Sequence, residues 1–450
     1  MESSKIKIAS IEQTAGKLYP NQVLMKKLTD FLKKINSTPE LKKKLLFTAA
    51  ILLAFRFFAH IPLPSVDLQQ LRQLFASNQF LSLLNVFSGG TLSNFSVLAV
   101  GINPYITASI VMQLGGMVVP KIKEMQKDGE AGREKLNQYT RYLSVPLAVG
   151  QSISVLALLR SQNLLESTSP LAFIAMILSL VAGSLIVTWL GELVSLHGIG
   201  NGISMILFAG IVSQLPSSFS QVLLSGTNRL FVGVSFFTVF FMIIGLIVFM
   251  NEAVRKITIQ YATRTRGKKS YGGQTTHLPI KVNVAGVMPI IFAVSIMLVP
   301  SFVAKLMIAS SNPKIIEIGN MLTINFQQTS PVYMILYFII VFFFTFFSSM
   351  IFFNAEDISD ELKKSGAFVP GIRPGTNTKK FLEYVVSRIT IAGAFFLGFI
   401  AIMPSLAQIF TGIGQLSVSG TSILIVVSVV LETYKQVDSM LVEQNYDRFI

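Results

Sequence analysis

Residues 87–114 read FSGGTLSNFSVLAVGINPYITASIVMQL, a stretch too polar for an ordinary membrane span and too apolar for a loop. Ser88, Gly89, Gly90, Thr91, Ser93 and Asn94 come first, the glycines resisting regular structure. From about Val97 the pattern predicts a helix, with Pro104 inside it and Gln113 near its end. Bilayer hydrocarbon tolerates broken backbone only where protein surrounds it or it lines a watery cavity. This stretch is therefore expected to face an interior path rather than lipid.

The surrounding chain fits a membrane setting. Its 450 residues are 52% hydrophobic with a mean hydropathy of +0.62, the profile of a polytopic membrane protein rather than of several soluble domains. There is no cysteine, so neither disulfides nor thiolate chemistry are available. The first forty-odd residues are polar and rich in lysine, unlike a cleaved signal peptide. Within them, Leu24, Leu28, Phe31 and Ile35 share one helical face, with Lys26, Lys27, Lys33 and Lys34 largely off it. That pattern suits a helix lying in the membrane interface; a solvated basic tail is the alternative. Thr38-Pro39-Glu40 reads as an N-cap with proline at the first helical position, opening span 1 over residues 45–60. Span 2 runs from about Val97, and eight more centre near residues 150, 180, 210, 240, 293, 342, 394 and 426, making ten.

Charge placement sets the orientation. With the N-terminus inside, 31 of the 37 Lys and Arg residues fall in inner segments and only five in outer ones (Arg72, Arg160, Arg229, Lys305 and Lys314), while Arg56 lies within span 1. The positive-inside bias puts both termini in the cytoplasm. A repeat is also legible. Gly101-Ile-Asn-Pro-Tyr-Ile-Thr-Ala returns 185 residues later as Gly286-Val-Met-Pro-Ile-Ile-Phe-Ala, and Gly202-Ile-Ser-Met-Ile-Leu as Gly420-Thr-Ser-Ile-Leu-Ile. Each fragment alone is weak, because Gly and Pro are common in membrane helices; two in consistent order carry weight. Five spans per half forces opposite topologies, and matched proline-interrupted segments of inverted repeats point to a central pathway.

No catalytic set emerges. His60, His197 and His277 fall at span ends or in loops, without carboxylates at metal-binding spacing, and read as surface or interfacial histidines. The ten span interiors carry no Asp or Glu; Glu192, Glu252 and Glu432 sit at ends. Ion-coupled transporters need an ionisable group at depth, so a solute transporter is disfavoured against a passive conduit; an insertase or scaffold without an aqueous pore is the other rival. A conduit for polypeptide must pass an extended chain yet hold back ions, which a ring of apolar side chains achieves by dewetting. The repeat pairs Ile106 with Ile291 and Leu207 with Ile425, while Ile102 and Ile211 lie one helical turn from Ile106 and Leu207. Two inner loops, roughly 253–282 and 354–383, are longer than a connection requires. The first carries Arg255, Lys256, Arg264, Arg266, Lys268 and Lys269, a charge that topology alone rewards. The second contains Pro370-Gly371-Ile372-Arg373-Pro374-Gly375, where two prolines and two glycines fix tight turns around one arginine.

The opening stretch resembles the signature of the SecY family, the channel subunits of the general protein-secretion translocon. Four further motifs follow in register: GREKLNQYTRY from Gly132, GIGNGISMILFAGI from Gly198, THLPIKVNVAGVMP from Thr276 and FVPGIRPGTNT from Phe368. The resemblance implies an all-α polytopic fold, ten transmembrane helices in two inverted halves of five around a central hourglass pore. It divides the chain into a cytoplasmic segment (1–44), an N-terminal half (45–216), a C-terminal half (217–436) and a cytoplasmic tail (437–450). It implies that Ile102, Ile106, Leu207, Ile211, Ile291 and Ile425 form the pore ring, Leu207 replacing a usual isoleucine. Residues 85–96, including Phe87, Ser88, Gly89, Gly90, Thr91 and Leu92, correspond to the movable plug; Phe87 and Leu92 are expected to seat in an apolar cavity, and the glycines and hydroxyls to keep packing weak. Arg373, framed by Pro370, Gly371, Pro374 and Gly375, is implied to couple the channel to its driving partner, and Arg264, Arg266, Lys268 and Lys269 offer a basic docking loop. Gln113 and Asn283 are candidates for the lateral gate between spans 2–3 and 7–8. The implied partners are SecE and SecG, the motor ATPase SecA, the ribosome and its RNA, signal peptides, nascent polypeptides and membrane lipids. No cofactor and no enzymatic activity are implied.

Overall fold

The computed structural model describes residues 38–447 except 65, 67–68, 72–84, 86–87, 162–164, 166–168, 225–228, 262–263, 267–268, 272–274, 285, 287, 309–311 and 412–414. The interfacial helix expected near residues 21–37, Phe87 and Lys268 lie outside the described residues. Ten helices coincide with the ten expected spans: α1 (Pro39–Phe58), α2 (Asn103–Val118), α4 (Gly129–Ser161), α5 (Pro170–His197), α6 (Gly202–Val212), α8 (Arg229–Glu252), α9 (Met288–Ile308), α11 (Pro331–Phe352), α13 (Thr376–Thr411) and α14 (Gln415–Asp447). Shorter helices join them: α3 (Pro120–Lys127), α7 (Leu215–Leu224), α10 (Pro313–Asn325) and α12 (Ala355–Lys364). Among the described residues four helical runs are by themselves long and apolar enough to cross a membrane, in α5, α8, α11 and α13. α2 and α3 qualify together as a span bent by 104°, and α6 and α9 contribute shorter apolar stretches.

Proline opens many of these helices. Pro39, Pro104, Pro120, Pro170, Pro313 and Pro331 stand at the first or second position, where a missing N–H costs nothing. Asn201 caps α6, its side-chain oxygen accepting from the Ile203 and Ser204 amides. Thr38 occupies the N-cap position of α1, as expected, but its side chain makes no capping bond. Span 2 differs from expectation: residues 97–102 are turns, and the helix begins at Asn103. Pro104 therefore starts α2 rather than interrupting it.

Contacts between loops fix on which side each helix end lies. The start of α1, the α5–α6 turn and the end of α14 share a cluster of Leu41, Ile199, Val437 and Leu441, and the Gly200 amide donates to Gln436 Oε1 at 2.8 Å. Lys435 of α14 pairs with Glu252 at the end of α8 at 2.8 Å, so that end belongs to the same side. From there the chain enters a sheet of order β4–β1–β5, with β1 Val254–Tyr261, β4 Thr275–Lys281 and β5 Ala367–Phe368. β1 runs antiparallel to β4, Ile257 opposite Leu278, and antiparallel to β5, Gln260 opposite Phe368. Both long loops thus lie on one side, with α10 on the other. On that far side Pro62 bridges Ser96 and Val66 bridges Leu165, joining the ends of α1 and α4 to the entry of α2.

A helix-only reading did not foresee this sheet. Its signal was present: Ile257 and Ile259 alternate with polar residues and are buried, as Ile280 is in β4, the period-2 pattern of a half-buried strand. With α12 and the start of α13, these residues form a small apolar core of their own around Leu362, Leu382 and Val386. A second hairpin, β2 (Arg264–Arg266) against β3 (Lys269–Tyr271), carries the basic positions Arg264, Arg266 and Lys269.

Candidate functional site

Of the two repeated pairs, the first has the same backbone at its entry, whereas Gly202 opens α6 and Gly420 lies inside α14. Gly101 and Gly286 both take left-handed φ values, +62° and +65°, and each stands two residues before a helix whose second residue is proline, α2 with Pro104 and α9 with Pro289. The left-handed residue reverses the chain without a Cβ penalty and aims each helix inward from opposite ends of the fold. Ile106 and Ile291 stand five residues beyond the two glycines. All six candidate ring residues fall in one apolar cluster. Ile102, Leu207, Ile211 and Ile291 are 2% exposed, Ile106 5% and Ile425 0%. Residues of α2 and its N-cap, and of α6, from one half and of α9 and α14 from the other thus share one buried apolar cluster.

The 85–96 segment sits directly against this centre. Residues 88–95 are a series of turns, knit together by their own hydroxyls: Thr91 Oγ1 donates to the Ser88 and Leu98 carbonyls at 2.7 and 2.8 Å, and the Leu92 amide donates to Ser88 Oγ at 3.2 Å. Gly89 and Gly90 adopt φ of +75° and +82°. Gly89 lies against Gly210 of α6 so closely that a Cβ on Gly210 would stand 2.3 Å from Gly89 Cα. Gly210 and Gln214 share a helical face with Leu207 and Ile211, and Gln214 Nε2 donates to the Asn85 carbonyl at 3.4 Å. A Cβ on Gly101, next to Ile102, would lie 3.4 Å from Ser88 Cα.

Leu92 is buried in an apolar cluster with Leu63, Phe95, Leu156 and Leu180, separate from the one that holds the ring candidates. One expectation about this segment changes: the hydroxyls do not leave the packing weak, since Ser88, Thr91 and Ser96 are buried and bonded. The segment is a compact unit, and what touches the ring helices is its glycine turn.

At the opposite side, the 370–375 loop is pinned from two helices. Ser359 Oγ of α12 donates to the Gly375 carbonyl at 2.8 Å, and Thr378 Oγ1 of α13 donates to the Arg373 carbonyl at 3.1 Å. Gly371 and Gly375 have φ of +80° and +99°. Pro370, Gly371 and Pro374 are exposed and Gly375 is half-buried; Arg373 is exposed too, and its guanidinium makes no ion pair among the described residues. Beside it, Lys379 pairs with Glu356 at 2.8 Å, and that hydrogen bond raises the lysine pKa.

Comparison with known proteins decides what these parts belong to. The SecY family model matches residues 96–434. The chain is 41% identical over 432 residues to "Protein translocase subunit SecY" of Streptomyces galbus, covering 92% of this chain and 98% of the relative. It is 39% identical over 436 residues to the same-named protein of Mycobacterium tuberculosis strain H37Rv, with the same coverage. The chain belongs to the SecY family. Its fold is likewise that of solved members of the SecY/Sec61 group. A structure described as that of a protein conducting channel superimposes with a TM-score of 0.62 at 20% identity, covering 88% of this chain and 92% of that one. A second, concerning the SecY plug domain in the closed channel, gives 0.59 at 19% identity with the same coverage.

The SecY fold leaves the two lateral-gate candidates in different settings. Gln113 is half-buried on α2. Asn283 is 7% exposed and ties the entry of α9 to other helices: its Nδ2 donates to Asn251 Oδ1 of α8 at 3.0 Å and to the Gly286 carbonyl at 3.1 Å. Asn251 Nδ2 continues to Ser428 Oγ of α14 at 3.0 Å. Asn283 thus ties the left-handed turn before α9 to α8, and through Asn251 to α14. The histidines lie apart, His60 on the Arg56 carbonyl, His197 edge-on to Phe47 and His277 beside Thr258. No group of His, Cys, Asp or Glu suited to a metal occurs among the described residues. Sequence reasoning missed Arg141 and Glu192, a two-pronged ion pair at 2.8 Å joining α4 to α5. It also missed the role of Arg56, whose Nη1 donates to the Gly89 carbonyl at 3.2 Å.

Proposed function

We propose that this chain is the protein-conducting channel through which unfolded secretory polypeptides cross the membrane, with signal sequences and membrane segments released sideways into lipid. The observation that carries the reading is the burial of six candidate ring side chains, from both halves, in one apolar cluster, with the Gly89 turn packed against α6 at Gly210. Such a centre is impermeable to ions while closed, because water gains nothing by entering an apolar constriction. It yields to a passing chain because only side-chain packing closes it. Residues 85–96 act as the plug, and the seam where α2 meets α9 is the lateral exit. The membrane is the plasma membrane, with both termini and the β-sheet side in the cytoplasm, as the distribution of Lys and Arg supports. Arg373 and the basic β2–β3 hairpin form the docking surface for the motor SecA or the ribosome, engaging acidic protein or RNA phosphates by charge. A solved relative is described as Sec61 in the canine ribosome–channel complex, which supports the ribosome as one such partner; SecE and SecG complete the assembly.

The deciding experiment places a photoreactive side chain at Ile106 or Ile291 and stalls a secretory precursor in mid-passage. Both positions are expected to cross-link to the precursor. Failure at both, with the stalled chain caught elsewhere in the protein, would remove the ring from the path.

A further inference from the structure

We infer that Arg56 is a positioning residue that latches the plug in its closed seat; the inference rests on reading residues 85–96 as the plug. Arg56 interrupts the apolar run Ala49–Phe58 of α1, half-buried, and it makes no ion pair among the described residues. An arginine in a span is costly unless it reaches water or a polar partner. Here its guanidinium turns to the plug and donates to the Gly89 carbonyl at 3.2 Å.

The setting of that carbonyl separates a latch from simple snorkelling. Gly89 and Gly90 are both left-handed, and a residue with a Cβ is strained there. A Cβ on Gly89 would lie 3.2 Å from both Gly210 Cα and Phe55 Cζ. The glycine turn is therefore held on three sides: the Phe55 ring, the backbone of α6 at Gly210, and the guanidinium of Arg56. The rest of the plug bonds chiefly to itself, through Ser88, Thr91 and Ser93. Side chains from outside the segment reach its backbone at the Gly89 carbonyl, from Arg56, and at the Asn85 carbonyl, from Gln214.

Such a tie suits a part that must leave. A charged donor on a carbonyl is stronger than a neutral pair, yet no charge is stranded when it breaks, because the vacated funnel admits water to the guanidinium. A carboxylate partner would have made release far more costly. Removing the donor is expected to raise the open fraction of the idle channel about tenfold, the equivalent of one charged hydrogen bond.

The test uses the full assembled translocon in planar bilayers and inverted vesicles, with Arg56→Met, Arg56→Gln and Arg56→Lys. Met and Gln should raise resting ion conductance about tenfold per channel and admit precursors with defective signal sequences. Lys, which keeps a cationic donor, should retain most of the seal. A second element separates this inference from the plug reading: Gly90→Cys with Gln214→Cys in the cysteine-free chain. A Cβ on Gly90 would stand 2.5 Å from Gln214 Nε2 and 3.4 Å from its Cγ, so side chains at these two positions meet; because the pair strains the left-handed turn and removes the Gln214 tie, the double-cysteine chain with Arg56 intact is the baseline for both redox states. The oxidised pair should silence the Arg56→Met leak and reduction restore it. If oxidation leaves wild-type translocation untouched, the plug reading itself fails. If oxidation stops translocation but all three Arg56 variants conduct like wild type, or the leak persists with the bond formed, the latch alone is overturned. A purely structural arginine would lower the yield of assembled channels without changing conductance per channel.

Discussion

Replacing Ile106 and Ile291 together with serine is expected to make the idle channel leak ions while the protein still assembles. Each loses the burial of one isoleucine, about 1.5–3 kcal/mol, a cost a fold with many packed spans absorbs; the two hydroxyls, however, give water partners at the dry centre. Single-channel conductance equal to wild type would remove both from the constriction. Gly210→Ala tests the neighbouring contact. Its new Cβ would stand 2.3 Å from Gly89 Cα, backbone that cannot swing aside, so the turn must lift. Overpacking of this kind costs roughly 1–3 kcal/mol, here charged to the seated plug, and a conductance rise of about tenfold or more is expected. Unchanged conductance, with the variant assembled, would mean that the turn shifts without unsealing. Ile106 and Ile291 were legible in the sequence because a repeat pairs them. Gly210 and Arg56 were not: their importance lies in closeness to Gly89, far away in the chain, and nothing in their own spacing records it.

Among the elements, the 370–375 loop makes the sharpest expectation. Its carbonyls are tied to Ser359 and Thr378, so Arg373 is presented on a rigid turn. Arg373→Glu is expected to abolish translocation driven by SecA and ATP, while yield and assembly stay near wild type, since an exposed substitution costs little stability and a surface built for a cation meets repulsion. Normal export of a precursor into vesicles would refute the docking role. Gly375→Ala meets no neighbour, its Cβ having open space at φ +99°; it costs only backbone strain, about 1–2 kcal/mol, and should slow export without stopping it. The turn itself was readable from its prolines and glycines. Its setting was not, because β5 is two residues long and acquires its meaning by pairing with β1, across two intervening spans. The residues that Leu92 packs against, Leu63 and Leu156, were hidden for a similar reason, because neighbouring turns and not its own spacing select them.

At the scale of the whole molecule, the ten-fold weave follows from loop contacts as well as from hydropathy. The β1–β5 ladder holds the two long loops on one side, so α9 and α11 must make one full round trip, with α10 at its turning point. Lys435 bound to Glu252 puts the end of α14 on the sheet side, whereas the Pro62–Ser96 and Val66–Leu165 bridges gather Ser96 and the ends of α1 and α4 at the other. Hydropathy alone marks only part of this, because α1 begins with charges and α6 has 11 residues; such helices are stabilised by packing within the bundle, which no apolar window measures. Sidedness relative to the cell comes from Lys and Arg counts, and it can be measured directly in a chain that lacks cysteine. Single cysteines at Thr275 on β4 and at Lys314 on α10, both exposed, should react in opposite settings. A membrane-impermeant maleimide added to right-side-out vesicles is expected to label Lys314→Cys and spare Thr275→Cys, and inverted vesicles should reverse the result. The opposite pattern would turn the protein over and leave Arg373 facing away from every cytoplasmic motor. Equal labelling of both from one face would break the round trip through α9 and α11, and with it the inverted relation between halves that brings Ile106 to Ile291.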